Sequence, residues 1–240
     1  MWQLLRRQPH FRRLFGATLV SEVGNKIHRI ALLVLVYEMT SEALWVSLAL
    51  GVQLLTSVAL GPLLSAWADA QERRRLMVLA DLLRVPLVIM IPLLGMKSLA
   101  ALMILIFAVE LLRNLHDPVA AAVVPDLVPE ADLDNANGLI MFAQRIAEVA
   151  FVGLAGLLVA LVGAAPAFYI DGATFLLSAL IVKGLPQLDP GAGSESAYWA
   201  RVGEGLRHLV ENPPVRRTVL TLAAAAMFGS VEAVLGVVLA

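Results

Sequence analysis

Long apolar runs, repeated along the chain and parted by short polar breaks, constrain this sequence more than any single motif in it. A helix needs about 20 apolar residues to cross about 30 Å of hydrocarbon. The apolar residues here come in blocks of that length rather than at amphipathic spacing, so they read as bilayer spans. Sixty per cent of the 240 residues are hydrophobic and 15% are charged, whereas about half apolar is already usual for a globular chain. The expected class is an all-α, multi-pass membrane protein with the lipid bilayer as its first partner. A net charge of -1 leaves no basic footprint for a nucleic-acid partner. Without cysteine there is no disulfide framework, thiol nucleophile or thiolate metal site, and no cofactor is expected.

Seven candidate spans follow: 14–37, 44–67, 76–94, 99–122, 134–162, 166–185 and 217–240. Thr40, Ser41 and Glu42 break the first from the second, and Gly95, Lys97 and Ser98 the third from the fourth. Pro166 fits the first turn of the sixth, where its missing N–H costs nothing. Arg6, Arg7, Arg12 and Arg13 precede the first run and no small-residue cleavage site follows, so that helix is expected to be retained. Lys and Arg concentrate in 1–13, 68–75 and 183–217, while the alternate loops hold only Lys97. The positive-inside rule then sets the N-terminus in the cytoplasm of a cell membrane, the inner membrane in a bacterium. Residues 1–185 make the expected six-helix bundle. Residues 186–216 make a linker, in which Trp199, Val202, Leu206 and Leu209 repeat at the spacing of a short helix on the membrane surface. Residues 217–240 make a seventh span, the start of a second bundle.

The first span carries Glu22, Asn25, Lys26, His28 and Arg29 near its centre. Each charge there costs about 2.5–3.5 kcal/mol on insertion scales, so hydropathy alone rejects the span. A helix starting at Ile30 is too short by Tyr37, and extending it to Gly51 buries Glu38 and Glu42. The span stands if its charges face a protein-lined cavity, which makes it a functional candidate. Small residues at four-residue spacing, as in Ser57/Gly61/Ser65, permit close helix approach and say little about function.

Between residues 10 and 217 the blocks HFRRLFGATLVSEVGN, ALLVLVYEMTSEAL, LGPLLSAWADAQERRRLMVLADLLR, HDPVAAAVVPDLVPEADLDNANGL and FYIDGATFLLSAL follow one another. In that order they resemble the major facilitator superfamily, in its macrolide-efflux and enterobactin-exporter-like branch. The resemblance implies the six-helix N-terminal bundle of that fold plus a seventh transmembrane helix, working by alternating access. The second-to-third loop is similar to the family's signature loop, whose carboxylate and arginines latch helix ends in one access state. Asp69 and Arg73, Arg74 and Arg75 match it, while Ser65 and Ala70 stand where the family has glycine and arginine. Asp81 and Arg84 match a further family segment and, three apart on one helix, can pair near the inner surface. Gly24-Asn25 stands where the family often has Gly-Asp, so Glu22, about a turn away, is the substitute carboxylate. The Gly-Pro kink of the family's drug antiporters is missing from span five, where Phe151-Val152 and Ala155-Gly156 stand.

In the family, helices one and four line a central cavity, two and five flank it, and three and six face lipid. Glu22, Lys26 and Arg29 share one face of span one. Glu110 and Arg113 lie three apart in span four, and Arg145 and Glu148 three apart in span five. With Asn25, these are the candidate substrate- and proton-binding residues. Their near-balanced charge suggests mutual pairing, which desolvated charges require. Two readings stay open: a midplane site for a substrate and a coupling proton, or a static network that holds helices one, four and five together. Glu22 and Glu148 are the preferred proton carriers. His28 falls off the shared face and reads as a bystander, and Asp171 reads as structural, stabilised near a helix N-terminus. No His-Glu-x-x-His, paired membrane aspartates or serine–histidine pair points to an enzyme. The expected function is proton-coupled efflux of small amphipathic organic molecules (drug, macrolide or siderophore-like) by a secondary transporter. The alternative is a non-transporting remnant or a membrane binding half-protein, because the chain stops at Ala240 inside an apolar run and this fold needs a C-terminal half.

Overall fold

In the computed structural model the described residues are 2–188, 203, 207–208, 210–218 and 221. The linker helix and seventh span expected over 186–216 and 217–240 lie largely outside them. Among the described residues up to 188 the regular elements are α1 (Trp2–Arg7), α2 (Pro9–Thr40), α3 (Ala43–Asp69), α4 (Arg73–Leu94), α5 (Leu99–Ala122), α6 (Val124–Leu127), α7 (Leu133–Ile146), α8 (Val152–Val162) and α9 (Ala164–Lys183). Short 3₁₀ turns, Gly95–Lys97 and Glu130–Asp132, join their neighbours, and a π-turn, Ala147–Phe151, joins α7 to α8.

Local chemistry sets these limits. Pro9 opens α2, where a missing N–H is tolerated. Ser41, in the left-handed region at φ 54°, closes it by donating its N–H to the Tyr37 carbonyl at 2.7 Å. Glu72 caps α4 by accepting from the Arg75 N–H at 2.9 Å, and Ser98 caps α5 from the Ala101 N–H at 3.4 Å. Gly163, at φ 88°, turns the chain from α8 into α9, and Pro166 sits in the first turn of α9 as its sequence position predicts. The fifth span is not one uniform α-helix. Its irregularity is the π-turn, which ends at Phe151, where the family's Gly-Pro kink is absent.

Among the described residues five helical segments, 43–69, 73–97, 99–122, 130–162 and 164–183, are long and apolar enough to cross a membrane. The first span, α2, has the length at 32 residues but fails on composition, as its central charges foretell. The helices pack in the spatial succession α8, α2, α9, α4, α5, α3, and a lighter contact of α2 with α3 closes the bundle. Outward faces of α4 and α9 expose Leu79, Leu82, Leu83, Leu176, Leu177 and Leu180, surfaces suited to lipid.

The buried side chains form two apolar clusters. One, at the Arg73–Arg75 end, includes Phe11, Leu14, Met77, Val119 and Leu139. The other includes Leu32, Leu35, Ile91, Leu102, Ile106 and Phe168. Between them, at intermediate positions along α2, α4, α5 and α9, lies a layer of polar side chains.

The tightest point in this layer is Gly24. A Cβ there would lie 1.9 Å from Thr174 Oγ1 and 2.7 Å from Asp171 Oδ1, so α2 and α9 touch backbone to side chain. Gly24→Ala is therefore expected to destabilise the bundle by about 1–3 kcal/mol through overpacking. Gly16→Ala on the same helix, where a Cβ meets nothing within 4 Å among the described residues, should be neutral or slightly stabilising. Thermal unfolding of the two variants in detergent checks this, and equal midpoints would refute the close approach.

Candidate functional site

Lys26 organises the centre of the polar layer. Its Nζ donates to Glu148 Oε2 at 2.9 Å and lies 3.7 Å from Glu22 Oε2. The Glu22–Lys26 pair has the favourable i, i+4 order along α2. Glu148 arrives from the π-turn, an irregularity often found at functional positions. On α5, Arg113 lies 3.8 Å from Glu110 Oε2 and donates to Asp117 Oδ2 at 3.3 Å. Ser57 of α3 donates to Glu110 Oε1 at 3.2 Å and lies 2.9 Å from Asn114 Oδ1.

Two cavities adjoin these groups. The larger, about 280 Å³, is lined by Glu22, Lys26, Arg113, Asp117, Gln144, Arg145 and Glu148, with Met141 at one wall. The smaller, about 50 Å³, is lined by Asn25, Lys26, His28, Arg29, Gln53, Arg84, Glu110 and Arg113, with Val109 and Phe175. Lys26 and Arg113 belong to both. All eight residues expected from the sequence, Glu22, Asn25, Lys26, Arg29, Glu110, Arg113, Arg145 and Glu148, thus border one cavity or the other. Asp117, Ser57 and Gln53 join them without having been picked out. Asp117 stood inside the block that begins HDPVAA, and Ser57 belonged to a small-residue pattern, so neither carried a sequence signal for the cavity.

The expected mutual pairing holds for Lys26 and Arg113 only. Arg29 and Arg145 form no ion pair with a carboxylate among the described residues. Both are exposed. A guanidinium that keeps water needs no protein partner, which is the physical reason that charge balance misjudged them.

The expected loop residues divide. Arg73 donates to Asp126 Oδ2 at 2.6 Å and to the Ala122 carbonyl at 3.1 Å, tying the start of α4 to the α5–α6 junction. Arg74 donates to the Leu185 carbonyl at 3.1 Å, just beyond α9. Asp69, at the end of α3, forms no ion pair among the described residues. The carboxylate that works with the arginines is instead Glu72. Besides capping α4, it accepts from the Leu188 N–H at 3.1 Å, beside an Arg73 N–H to Leu188 carbonyl bond at 3.3 Å. Arg13 adds a hydrogen bond to the Gly184 carbonyl.

Asp81 and Arg84 pair within α4 at 3.3 Å as their spacing predicts. Both are fully buried. Arg84 is compensated inside the bundle, donating to the Leu112 carbonyl at 2.9 Å and lying 5.1 Å over the Phe175 ring. His116 Nε2 stands 3.6 Å from Asp81 Oδ2, while its Nδ1 lies 3.1 Å from Asp117 Oδ1.

Two readings of single residues are corrected. His28 is no bystander: its Nδ1 lies 2.8 Å from Asp171 Oδ2, and its ring meets Phe168 edge-on at 5.4 Å. It does leave the Glu22–Lys26–Arg29 face, but the face it takes is the one pressed on α9. Asp171 is not at a helix end either. It lies two turns inside α9 and is fully buried, so a side chain of α2 rather than a helix dipole stabilises it.

A membrane-length helical bundle with its charges gathered at central cavities narrows the family, and the sequence profile of the Major Facilitator Superfamily decides it by matching residues 14–239. The chain belongs to the major facilitator superfamily. It is therefore a multi-pass membrane protein of a transporter family, not an enzyme. The multidrug efflux pump Tap of Mycolicibacterium fortuitum is 27% identical over 243 aligned residues, covering 96% of this chain and 59% of that protein. The uncharacterised MFS-type transporter YfiS of Bacillus subtilis (strain 168) is 26% identical over 224 residues, covering 91% of this chain and 53% of that one. This chain thus spans little more than half the length of the curated relatives it matches. The in meso crystal structure of the POT family transporter PepTSo superposes with a TM-score of 0.57 over 76% of this chain and 40% of its own, at 17% identity, which shows the fold.

The Lys26–Glu148 contact yields a measurable quantity. Glu148 has a side chain 49% exposed, so the pair is screened and its coupling should be about 1 kcal/mol rather than that of a buried ion pair. A double-mutant cycle of Lys26→Met and Glu148→Gln on unfolding in detergent checks this, and additive effects would show that the two groups do not interact.

Proposed function

We propose that this chain is the N-terminal part of a secondary transporter that exports small amphipathic organic molecules by alternating access, with protons as coupling ion. The observation that carries the reading is the convergence of charged side chains from α2, α5, α7 and the π-turn on two adjoining cavities within an apolar bundle. Ionisable groups at membrane depth are costly and persist where they bind, relay or pair. Secondary transporters place substrate and ion sites near the midplane, between two halves that rock around them. The naming of one relative as a multidrug efflux pump supports export and a broad organic substrate, in the macrolide-efflux and exporter-like branch that the sequence resembles.

In this reading residues 1–185 are one six-helix half, 186–216 the linker and 217–240 the opening of a C-terminal half that completes the cavity. The Lys and Arg distribution supports a cytoplasmic N-terminus, and with it a cytoplasmic latch made by Glu72, Arg73 and Arg74. Glu22 carries the coupling proton. It shares Lys26 with Glu148, and the shorter Lys26–Glu148 contact leaves Glu22 the more weakly held carboxylate. When Glu22 takes a proton, Lys26 keeps Glu148 as its partner, so the exchange leaves no unpaired ammonium. The substrate meets Arg29, Arg145, Gln144 and Asn25 in the cavities.

The test is efflux of a fluorescent cationic dye from vesicles holding the complete polypeptide that contains this chain, with and without an imposed proton gradient. Efflux should require the gradient. Glu22→Gln should lower gradient-driven efflux about tenfold, equivalent to about 1.4 kcal/mol at the limiting step. Gradient-dependent efflux at the unmodified rate would remove Glu22 from coupling.

A further inference from the structure

We propose that His28 and Asp171 form a second proton-exchange site, separate from the Lys26 group, through which protonation in the cavity is read by the α2–α9 contact. The inference rests on the transporter reading for its use, but its geometry stands alone. The Nδ1–Oδ2 distance of 2.8 Å is a full hydrogen bond between two helices far apart in sequence. Asp171 is fully buried, and its other oxygen, Oδ1, has no hydrogen-bond partner among the described residues and lies against Gly24. The His28 side chain is only 12% exposed, yet it borders the smaller cavity. Histidine therefore connects the cavity on one side to a sealed carboxylate on the other.

The exchange involves one N–H bond. In the unprotonated state a neutral imidazole donates its Nδ1–H to the Asp171 carboxylate. A proton from the cavity adds at Nε2, giving an imidazolium that keeps the same Nδ1–H bond to the carboxylate, and release reverses the step. Imidazole is the side chain whose ordinary titration lies in the physiological range. The groups that face the pair are Arg84 from α4, Lys26 and Arg29 on α2, and Glu110 and Arg113 from α5, with neutral Gln53 from α3. Glu148, reaching α2 from the π-turn, is already bound to Lys26. With Arg84 held by Asp81, Leu112 and Phe175, Asp171 has His28 as its only hydrogen-bonding side chain from another helix among the described residues.

The contact has no slack to absorb a change of charge. Gly24 admits no side chain against Thr174 and Asp171, and Thr174 Oγ1 is already committed to the Asp171 carbonyl at 2.7 Å. Close-packed interfaces respond to such a change by shifting between discrete arrangements rather than deforming smoothly. Protonation of His28 is thus converted into a displacement of α2 along α9, and with it of the cavity wall that α2 supplies.

The experiment is a pair of measurements on the complete polypeptide in detergent. Potentiometric titration between about pH 5 and about pH 8, the range of an ordinary imidazole, should show about one proton fewer per chain in His28→Gln than in the unmodified protein. The chain has no cysteine, so within it Gln53→Cys is a single probe of the same cavity. Its alkylation rate, relative to the same probe in His28→Gln to cancel the thiol's own titration, should change about threefold or more across that range. Asp171→Asn should abolish the change. An unaltered proton count, or a rate ratio that stays flat with pH, overturns the proposal. If His28→Gln does not fold, the 15N-histidine spectrum of the unmodified protein decides: a His28 signal, recognised by its contact with Phe168, that keeps one protonation state throughout is equally fatal. Gradient-independent dye efflux with a positive titration would sink the coupling reading and leave this site standing, whereas gradient-driven efflux with a negative titration would do the reverse.

Discussion

The bundle depends on the contact of α2 with α9 at Gly24. A helix with five polar or charged residues between positions 22 and 29 has no reason of its own to enter an apolar assembly. It is held there because each of its faces has a different partner. One face presents Gly24 and His28 to Thr174 and Asp171 of α9, and another presents Glu22 and Lys26 to Glu148 and the larger cavity. The first of these continues through Ala31 and Leu35 into the apolar cluster. Without the close approach at Gly24, His28 could not reach Asp171, and a buried carboxylate would be left without its inter-helix hydrogen bond.

Around that contact the guanidinium groups follow one energetic rule: where water is excluded, the cation is met by several partners. Arg84 is compensated by a carboxylate, a carbonyl and an aromatic face. Removing one member of such a set generally costs more than the set contributes, because an uncompensated charge remains. Where water enters, as at Arg29 and Arg145, the rule relaxes. The boundary between the two regimes is the cavity wall, and Lys26, Arg113 and His28 stand on it. At the Arg73 end, Glu72 performs a comparable task in the chain path, joining the start of α4 to the segment after α9.

Much of this could be read in the sequence. The apolar runs located the helices to within a few residues, Ser41 and Pro166 fell where the breaks were expected, and the i, i+4 spacing anticipated the Glu22–Lys26 pair. The eight expected site residues border the cavities because ions on otherwise apolar helices have few other places to go. The errors share a cause. His28, Asp171 and Glu72 acquire their roles from partners 143 and 116 positions away, which no local spacing reveals.

The sequence by itself determined that the chain is helical and membrane-embedded, because a period and a run length are local properties and hydrocarbon accepts little else. It also determined which ions would be drawn inward. Only the tertiary structure decided how they are shared: Lys26 with Glu148, His28 with Asp171, Arg73 with Asp126. Such pairings depend on which helix faces which and at what depth. Those are set by side-chain packing at points such as Gly24, whose meaning appears only when Thr174 is brought against it.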